Sequence, residues 1–191
     1  MKKLIDANLL IYALIEDHPA SSVCEAFIRK ENRYRKLYTT MLTPFEVFHV
    51  LWRIYGLKRE QAMEKALSLF NSPLSFIPIT EEVARISLEK IVEYKIDSND
   101  ALLLTSSILY DIPSLASDDR KLLKASNEEG IHTQSPINEK LRRDMNEWEK
   151  EKLASKGIPR ILQRIYKWLL DIDNEIAEEF KKATNNLKQL P

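Results

Sequence analysis

The start of the chain places an acid between two different patterns of apolar residues. Residues 2–5 end in a short apolar run, which is typical of a buried strand. From Asp6 onward, Leu9, Leu10, Ala13 and Leu14 follow at the three- and four-residue spacing of a helix face. A carboxylate is therefore expected at the carboxyl end of a buried strand, the edge at which open α/β sheets bind ligands. The alternative is that Asp6 only caps the helix.

The alternation of strand and helix patterns continues along most of the chain. Further strands are predicted at residues 37–41, 74–79, 112–116 and 131–133, with helical patterns between them. This order predicts an α/β fold with a parallel sheet. From residue 138 onward the sequence has helical patterns only. We therefore expect one α/β domain over residues 1–135 and an all-helical extension over residues 136–191.

Three more acids lie where a predicted helix begins. Glu46 and Asp100 are in first turns, and Asp119 follows a predicted strand. If the strands are parallel, Asp6 and these acids converge, and clustered carboxylates either take up protons or surround a cation. Oxygen ligands of this kind suit Mg²⁺ or Mn²⁺. Helix capping is the alternative for each acid, and Thr43 with Glu46 fits a capping box in particular.

Four segments in this order resemble the motifs of PIN-domain ribonucleases of the VapC type. Residues 4–14 read LIDANLLIYAL and residues 43–47 read TPFEV, the second matching a helix that carries a glutamate. Residues 99–105 read NDALLLT and residues 115–119 read LASDD. Each motif alone is weak, but the ordered set of four is fairly specific and covers about residues 1–135.

The resemblance implies a three-layer α/β sandwich and cleavage of RNA with Mg²⁺ or Mn²⁺. It implies metal ligation and catalysis by Asp6, Glu46, Asp100 and Asp119. Asn8 and Ser117 match polar positions that orient the acids. The roles of Asp97 and Asp118 stay open between accessory ligands and caps. Many relatives are toxins inhibited by an antitoxin, so an antitoxin partner is also implied.

The composition limits how the chain could bind RNA and where in the cell it is expected. The chain has 29 basic and 29 acidic residues, so RNA binding has to depend on a local patch. Candidates for such a patch are Lys58, Arg59 and residues 29–36, although the last segment also fits an ordinary solvated helix end. A single cysteine and the lack of a signal peptide or membrane span favour a cytoplasmic protein. The competing function is a non-catalytic module of the same fold that binds RNA or assembles with a partner.

The C-terminal segment carries one sustained apolar stripe. Residues 158–190 carry apolar side chains at intervals of three and four, from Ile158 to Leu187, which predicts a single long helix. At 1.5 Å per residue such a helix would be ~50 Å long, more than a domain of this size can cover. We therefore expect the helix to pack against a second copy of the chain in a homodimer. The alternative is an intramolecular hairpin with the helix predicted at residues 138–155.

Overall fold

The computed structural model of the protein describes residues 2–153 and 162–187. Its sheet has five strands, all parallel, in the order β3-β2-β1-β4-β5. This confirms the predicted α/β class. The strands are β1 (Lys2–Ile5), β2 (Lys36–Thr40), β3 (Leu74–Ile77), β4 (Ser114–Ala116) and β5 (His132–Gln134).

Helices connect the strands and flank the sheet. Seven α-helices lie within residues 2–128: α1 (Ala7–Leu14), α2 (Ser21–Tyr34), α3 (Thr43–Arg53), α4 (Arg59–Ser68), α5 (Glu81–Tyr94), α6 (Ser98–Leu109) and α7 (Arg120–Glu128). The later ones are α8 (Glu139–Lys152), α9 (Gln163–Ile172) and α10 (Asn174–Leu187). Among the residues described, no helix has the length and apolar content needed to span a bilayer.

The core lies between the central strands and helix α6. Leu4 of β1 and Leu115 of β4 are fully buried and face each other across the parallel pair. They join a cluster that includes Leu103 and Leu104 of α6 and Leu122 of α7. After Asp100, the residues of α6 are apolar or carry only a hydroxyl group, which fits a helix that is buried over much of its surface. The core therefore fixes the ends of β1 and β4 and the start of α6, the three places that carry Asp6, Asp119 and Asp100.

The chain divides into two compact units between Met145 and Asn146. The helix α8 crosses this point, ten residues after the boundary expected near residue 136. In the second unit, α9 and α10 pack on each other around the fully buried residues Tyr166 and Ala177. The Tyr166 hydroxyl also donates a hydrogen bond to Glu178 at 2.9 Å.

The prediction of one long C-terminal helix is wrong. The backbone leaves the helical conformation at Asp173, which has an extended φ of −158° and ψ of 120°. The Asp173 carboxylate then accepts hydrogen bonds from the backbone amides of Glu175 and Ile176, at 2.7 and 3.3 Å. An aspartate is a favoured N-cap residue, and here it begins a new helix within the apolar stripe. The first part of the predicted helix, residues 158–161, lies outside the described residues.

Candidate functional site

The carboxyl edge of the sheet contains its topological switch point. From β1 the chain moves to β2 on one side, whereas β4 lies on the other side of β1. The pairing of Ile5 with Ala116 puts the residues that follow these two strands next to each other. In open α/β sheets, the crevice at such a point is the usual ligand site. Asp6 follows β1 directly, and Ser117, Asp118 and Asp119 follow β4.

A hydrogen-bond network joins Asp6 to the loop after β4. Asp6 Oδ2 accepts hydrogen bonds from Asn8 Nδ2 at 2.7 Å and from Ser117 Oγ at 2.5 Å. Ser117 Oγ in turn accepts from Asn8 Nδ2 at 3.1 Å and from the backbone amide of Asp119 at 2.8 Å. The single hydroxyl proton of Ser117 is thus directed at Asp6, while its lone pairs hold the neighbouring loop. Asn8 and Ser117 therefore both donate hydrogen bonds to the Asp6 carboxylate.

Asp6 makes no side-chain cap hydrogen bond to the helix that it precedes. Its side chain is only 4% exposed. Burial raises the pKa of Asp6 to about 6, opposed by the hydrogen bond from Ser117 and by the backbone amides of Ala7 and Asn8, and with a further contribution from the charge of Asp119. A buried carboxylate with a raised pKa and a neighbouring acid is a candidate ligand for a cation.

Glu46 is also free of the capping role expected for it. The helix α3 begins one residue earlier than predicted, so Thr43 is a helical residue and Leu42 is the N-cap. The Thr43 hydroxyl instead shares hydrogen bonds with the hydroxyls of Thr39, at 2.7 Å, and Thr40, at 3.2 Å. The predicted capping box is therefore wrong. Burial, together with the charge of Asp6, raises the pKa of Glu46 to about 7, opposed by a hydrogen bond from Asn99.

Asp100 interacts electrostatically with every other acid of the predicted set. It lies in the first turn of α6. Burial, and after it the charges of Asp6, Asp119, Asp97 and Glu46 in that order, together raise its pKa to about 8. Asp6, Glu46, Asp100 and Asp119 thus occupy one region at the carboxyl edge of the sheet. Asp97 is the exposed N-cap residue of α6 and makes no side-chain cap hydrogen bond.

Asp119 and Asp118 have different surroundings. Asp119 Oδ1 accepts hydrogen bonds from the amides of Lys121, at 2.7 Å, and Leu122, at 3.0 Å, and so caps α7. The Asp118 carboxylate is 7% exposed, and both of its oxygens are bound by the guanidinium of Arg142 on α8. Of these adjacent acids, Asp119 is the one that acts electrostatically on both Asp6 and Asp100.

The donor set of this cluster fits a hard divalent cation. Within residues 2–153 and 162–187, no group of three or more His, Cys, Asp or Glu side chains is close enough to hold a metal ion. Even so, Asp6, Glu46 and Asp100 each have a pKa raised by burial and by a neighbouring carboxylate. A cation placed among them would offset the cost of ionising all three. The donor atoms of these three side chains are all oxygens, which suit Mg²⁺ and Mn²⁺.

Two residues of this region were not assigned a role by sequence reasoning. Asn99 precedes Asp100 in the third motif quoted above. Its hydrogen bond to Glu46 joins two distant parts of the sequence, so it could be identified only from the structure. Arg142 lies in the segment expected to form the extension, 24 residues after its partner Asp118. An ion pair over this separation leaves no periodic pattern in a sequence. In the sequence, the signal for a partner such as Arg142 was the second acid, Asp118, directly beside the predicted ligand Asp119.

Comparisons with known proteins place this architecture in a family. The PIN domain family model matches residues 3–128. Among solved structures, one similar chain is in VapBC2 from Rickettsia felis bound to a DNA fragment from their promoter. It has 16% sequence identity and a TM-score of 0.55, with coverage of 71% of this chain and 98% of that chain. Another is in a toxin-antitoxin complex from Klebsiella pneumoniae, with 19% identity, a TM-score of 0.53 and the same coverages. A comparison with curated protein sequences gave no match.

Proposed function

Because this chain belongs to the PIN domain family, whose members are generally nucleases, we propose that it is a metal-dependent endoribonuclease that hydrolyses RNA phosphodiester bonds. One observation supports this proposal. Asp6, Glu46 and Asp100 follow or begin elements at the carboxyl edge of the sheet, and the charges of neighbouring acids raise the pKa of each. Such clustering is unfavourable for a stable scaffold and useful for holding a cation.

Asp6, Glu46, Asp100 and Asp119 are the residues that would hold Mg²⁺ or Mn²⁺. When bound, the ion supplies positive charge next to the scissile phosphate and lowers the pKa of water. Asn8 and Ser117 keep the Asp6 carboxylate in one orientation through their hydrogen bonds to Oδ2. The helix cap made by Asp119 Oδ1 fixes this side chain and leaves Oδ2 for the ion. No protein nucleophile is required.

The arginines that stack on Trp52 are candidates to bind the RNA backbone. The guanidinium groups of Arg53 and Arg59 lie 4.1 and 4.2 Å from the ring centroid of Trp52. In the basic segment noted in the sequence, Arg29 and Arg35 form ion pairs with Glu25 and Glu31 of α2. Arg53 is seven residues after Glu46 and so lies on the same helix face. Stacked cations at the end of a helix that begins in the acidic cluster suit an RNA strand passing the site.

The likeness in fold to the two solved structures supports a toxin with an antitoxin partner. Of the two similar structures described above, one is a toxin-antitoxin complex and the other is VapBC2 with a DNA fragment from their promoter, and the likeness in fold covers 98% of each matched chain. We therefore include inhibition by an antitoxin in the proposal. A small neighbouring gene that encodes a protein with a DNA-binding sequence pattern would support the proposed antitoxin partner.

The alternative is a non-catalytic module of the same fold that binds RNA or assembles with a partner. The presence of all four acids argues against it, since a binding module gains nothing from buried carboxylates that repel one another. A cleavage assay separates the two. Purified full-length protein is incubated with a long unstructured RNA, with Mg²⁺ or Mn²⁺ and then with a chelator, and the product ends are analysed.

We expect internal cleavage that needs the metal ion and that leaves no 2′,3′-cyclic phosphate, since water is the nucleophile and not the ribose 2′-hydroxyl. Cyclic phosphate ends, or cleavage that continues in chelator, would point to a contaminating ribonuclease of a different mechanism. Tight RNA binding without cleavage under all metal conditions would favour the non-catalytic module.

A further inference from the structure

The ion pair between Asp118 and Arg142 connects the candidate site to a helix beyond the family match. Arg142 Nη1 donates to Asp118 Oδ2 at 3.0 Å, and Arg142 Nη2 donates to Asp118 Oδ1. The side chain of Asp118 is 7% exposed and that of Arg142 is 25% exposed. Ser135 Oγ also donates to Asp118 Oδ1, at 3.4 Å. Two parallel bonds between a guanidinium and a buried carboxylate fix both distance and orientation.

The backbone of Asp118 belongs to the site itself. Its amide donates a hydrogen bond to Asn8 Oδ1 at 3.3 Å, and Asn8 Nδ2 binds Asp6. On either side of Asp118 in the sequence, Ser117 donates to Asp6 and Asp119 provides a candidate ligand. One residue therefore has its main chain in the acidic network and its side chain held by α8. Any movement of the Asp118 side chain will displace the loop that carries Ser117 and Asp119.

We propose that Arg142 is a positioning residue for the candidate metal site and acts through Asp118. The inference rests on the proposed function. By neutralising and holding the Asp118 carboxylate, Arg142 keeps this fifth acid out of the cluster and fixes the loop so that Asp119 meets the other ligands. Arg142 itself touches neither RNA nor metal. The family match ends at residue 128, so this support is provided by the chain's own C-terminal segment.

A purely structural clamp between α8 and the domain is the competing explanation. A matched control lies on α5, where Arg85 binds Glu81 at 2.8 Å. Those side chains are 76% and 80% exposed. An exposed pair contributes little to stability, whereas removing one partner of a buried pair leaves an uncompensated charge. Glu139 of α8 is unsuitable, because it lies 4.0 Å from Arg142 itself. The variant Glu81→Gln thus removes an exposed ion pair and leaves the partners of Arg142 unchanged.

The experiment compares the full-length wild type with Arg142→Gln, Arg142→Lys, Asp118→Asn, the double variant Arg142→Gln/Asp118→Asn, and the control Glu81→Gln. Mn²⁺ affinity is measured by calorimetry, and single-turnover cleavage of RNA is measured well below the melting temperature of the least stable variant. Loss of a group that orients a metal ligand typically weakens metal affinity or activity by ~10–100-fold. We expect Arg142→Gln to weaken Mn²⁺ binding about 10-fold and Glu81→Gln to leave it unchanged.

The other variants make the proposal falsifiable even if Arg142→Gln does not fold. Arg142→Lys, which keeps the charge but not the paired hydrogen bonds, should recover part of the affinity. The double variant should bind Mn²⁺ no more weakly than Arg142→Gln alone, because both changes remove the same interaction. If any of the folded variants Arg142→Gln, Arg142→Lys or Asp118→Asn binds Mn²⁺ as tightly as wild type, the inference is overturned and the proposed function still stands. Wild type that binds no Mn²⁺ would overturn the proposed function and the inference with it.

Discussion

The carboxylate of Asp119 accepts two backbone hydrogen bonds at the start of α7 and also faces the acidic cluster. Substitution by asparagine separates these two roles, because asparagine caps a helix about as well as aspartate but carries no charge. We therefore expect Asp119→Asn to lower RNA cleavage by ~10²–10³ in rate, the usual effect of losing one charge-stabilising group, with little change in melting temperature.

The neighbouring acid provides the comparison for this prediction. Asp118→Asn should reduce cleavage by much less than Asp119→Asn, because Asp118 is bound by Arg142 and not directed at the cluster. Rates for the two variants are compared under identical metal conditions. The reverse ranking would mean that Asp118, and not Asp119, is the acid that belongs to the site.

The raised pKa values of the cluster predict how stability depends on pH. The pKa is about 6 for Asp6, about 7 for Glu46 and about 8 for Asp100. In the unfolded chain these groups titrate near 4. Between about pH 4 and pH 8 the folded state thus binds more protons than the unfolded state, so this cluster lowers the stability of the metal-free protein as the pH rises.

Divalent metal should change this dependence. A cation needs ionised ligands, so it competes with the protons that the folded state takes up. We expect Mg²⁺ to raise the melting temperature more at about pH 8 than at about pH 5.5, as measured by thermal unfolding with and without chelator. Asp100→Asn is the control and should show a flatter pH dependence without metal. An equal metal effect at both pH values would contradict the prediction.

At the scale of secondary structure, the junction between β2 and α3 determines where Glu46 lies. The Thr43 hydroxyl bridges those of Thr39 and Thr40, and all three side chains are buried. Thr43→Val keeps the shape but leaves both partners without this hydrogen bond. A buried group left unsatisfied costs about 1–3 kcal/mol, so the free energy of unfolding should fall by that amount in urea denaturation. Thr43→Ser keeps the hydroxyl and should lose less; equal losses in both variants would show that the methyl group matters and the hydrogen bonds do not.

The same junction shows what a sequence can and cannot predict. The strand and helix patterns placed Asp6, Glu46, Asp100 and Asp119 at the ends of the correct elements, because periodicity follows directly from burial. The role of Thr43 was wrong because a capping box and a hydroxyl bridge to the preceding strand use the same residue types. The break at Asp173 was missed because an apolar stripe at helical spacing continues through it in the sequence.

For the whole molecule, we propose a homodimer through the C-terminal helices. The packing of α9 on α10 leaves Ile165, Trp168, Ile172 and Ile176 between 43% and 60% exposed, at intervals of three and four residues. A row of this kind suits a partner surface better than solvent. The full-length chain should run as a dimer in light scattering, and Trp168→Glu should run as a monomer with a lower melting temperature, because it loses the stabilisation that association gives the native state.

A control on the first unit makes the dimer test specific. Val92 on α5 is 78% exposed, so Val92→Glu introduces the same charge at another apolar surface position and should leave the dimer intact. Point variants are preferable to truncation near residue 136, which would delete Arg142 and leave the buried Asp118 unpaired. Wild type that is monomeric at micromolar concentration would contradict the proposal.

The central claim is that the carboxylates at the carboxyl edge of the sheet hold a divalent metal ion for RNA cleavage. Its most direct test is the single-turnover rate of RNA cleavage by wild type and by Asp6→Asn across a titration of Mn²⁺. We predict no cleavage by wild type in chelator, a rate that rises to saturation with Mn²⁺, and a rate for Asp6→Asn lower by ~10²–10³ at saturation. Asp6→Asn that cleaves RNA as fast as wild type, with chelator making no difference to either protein, would contradict the account.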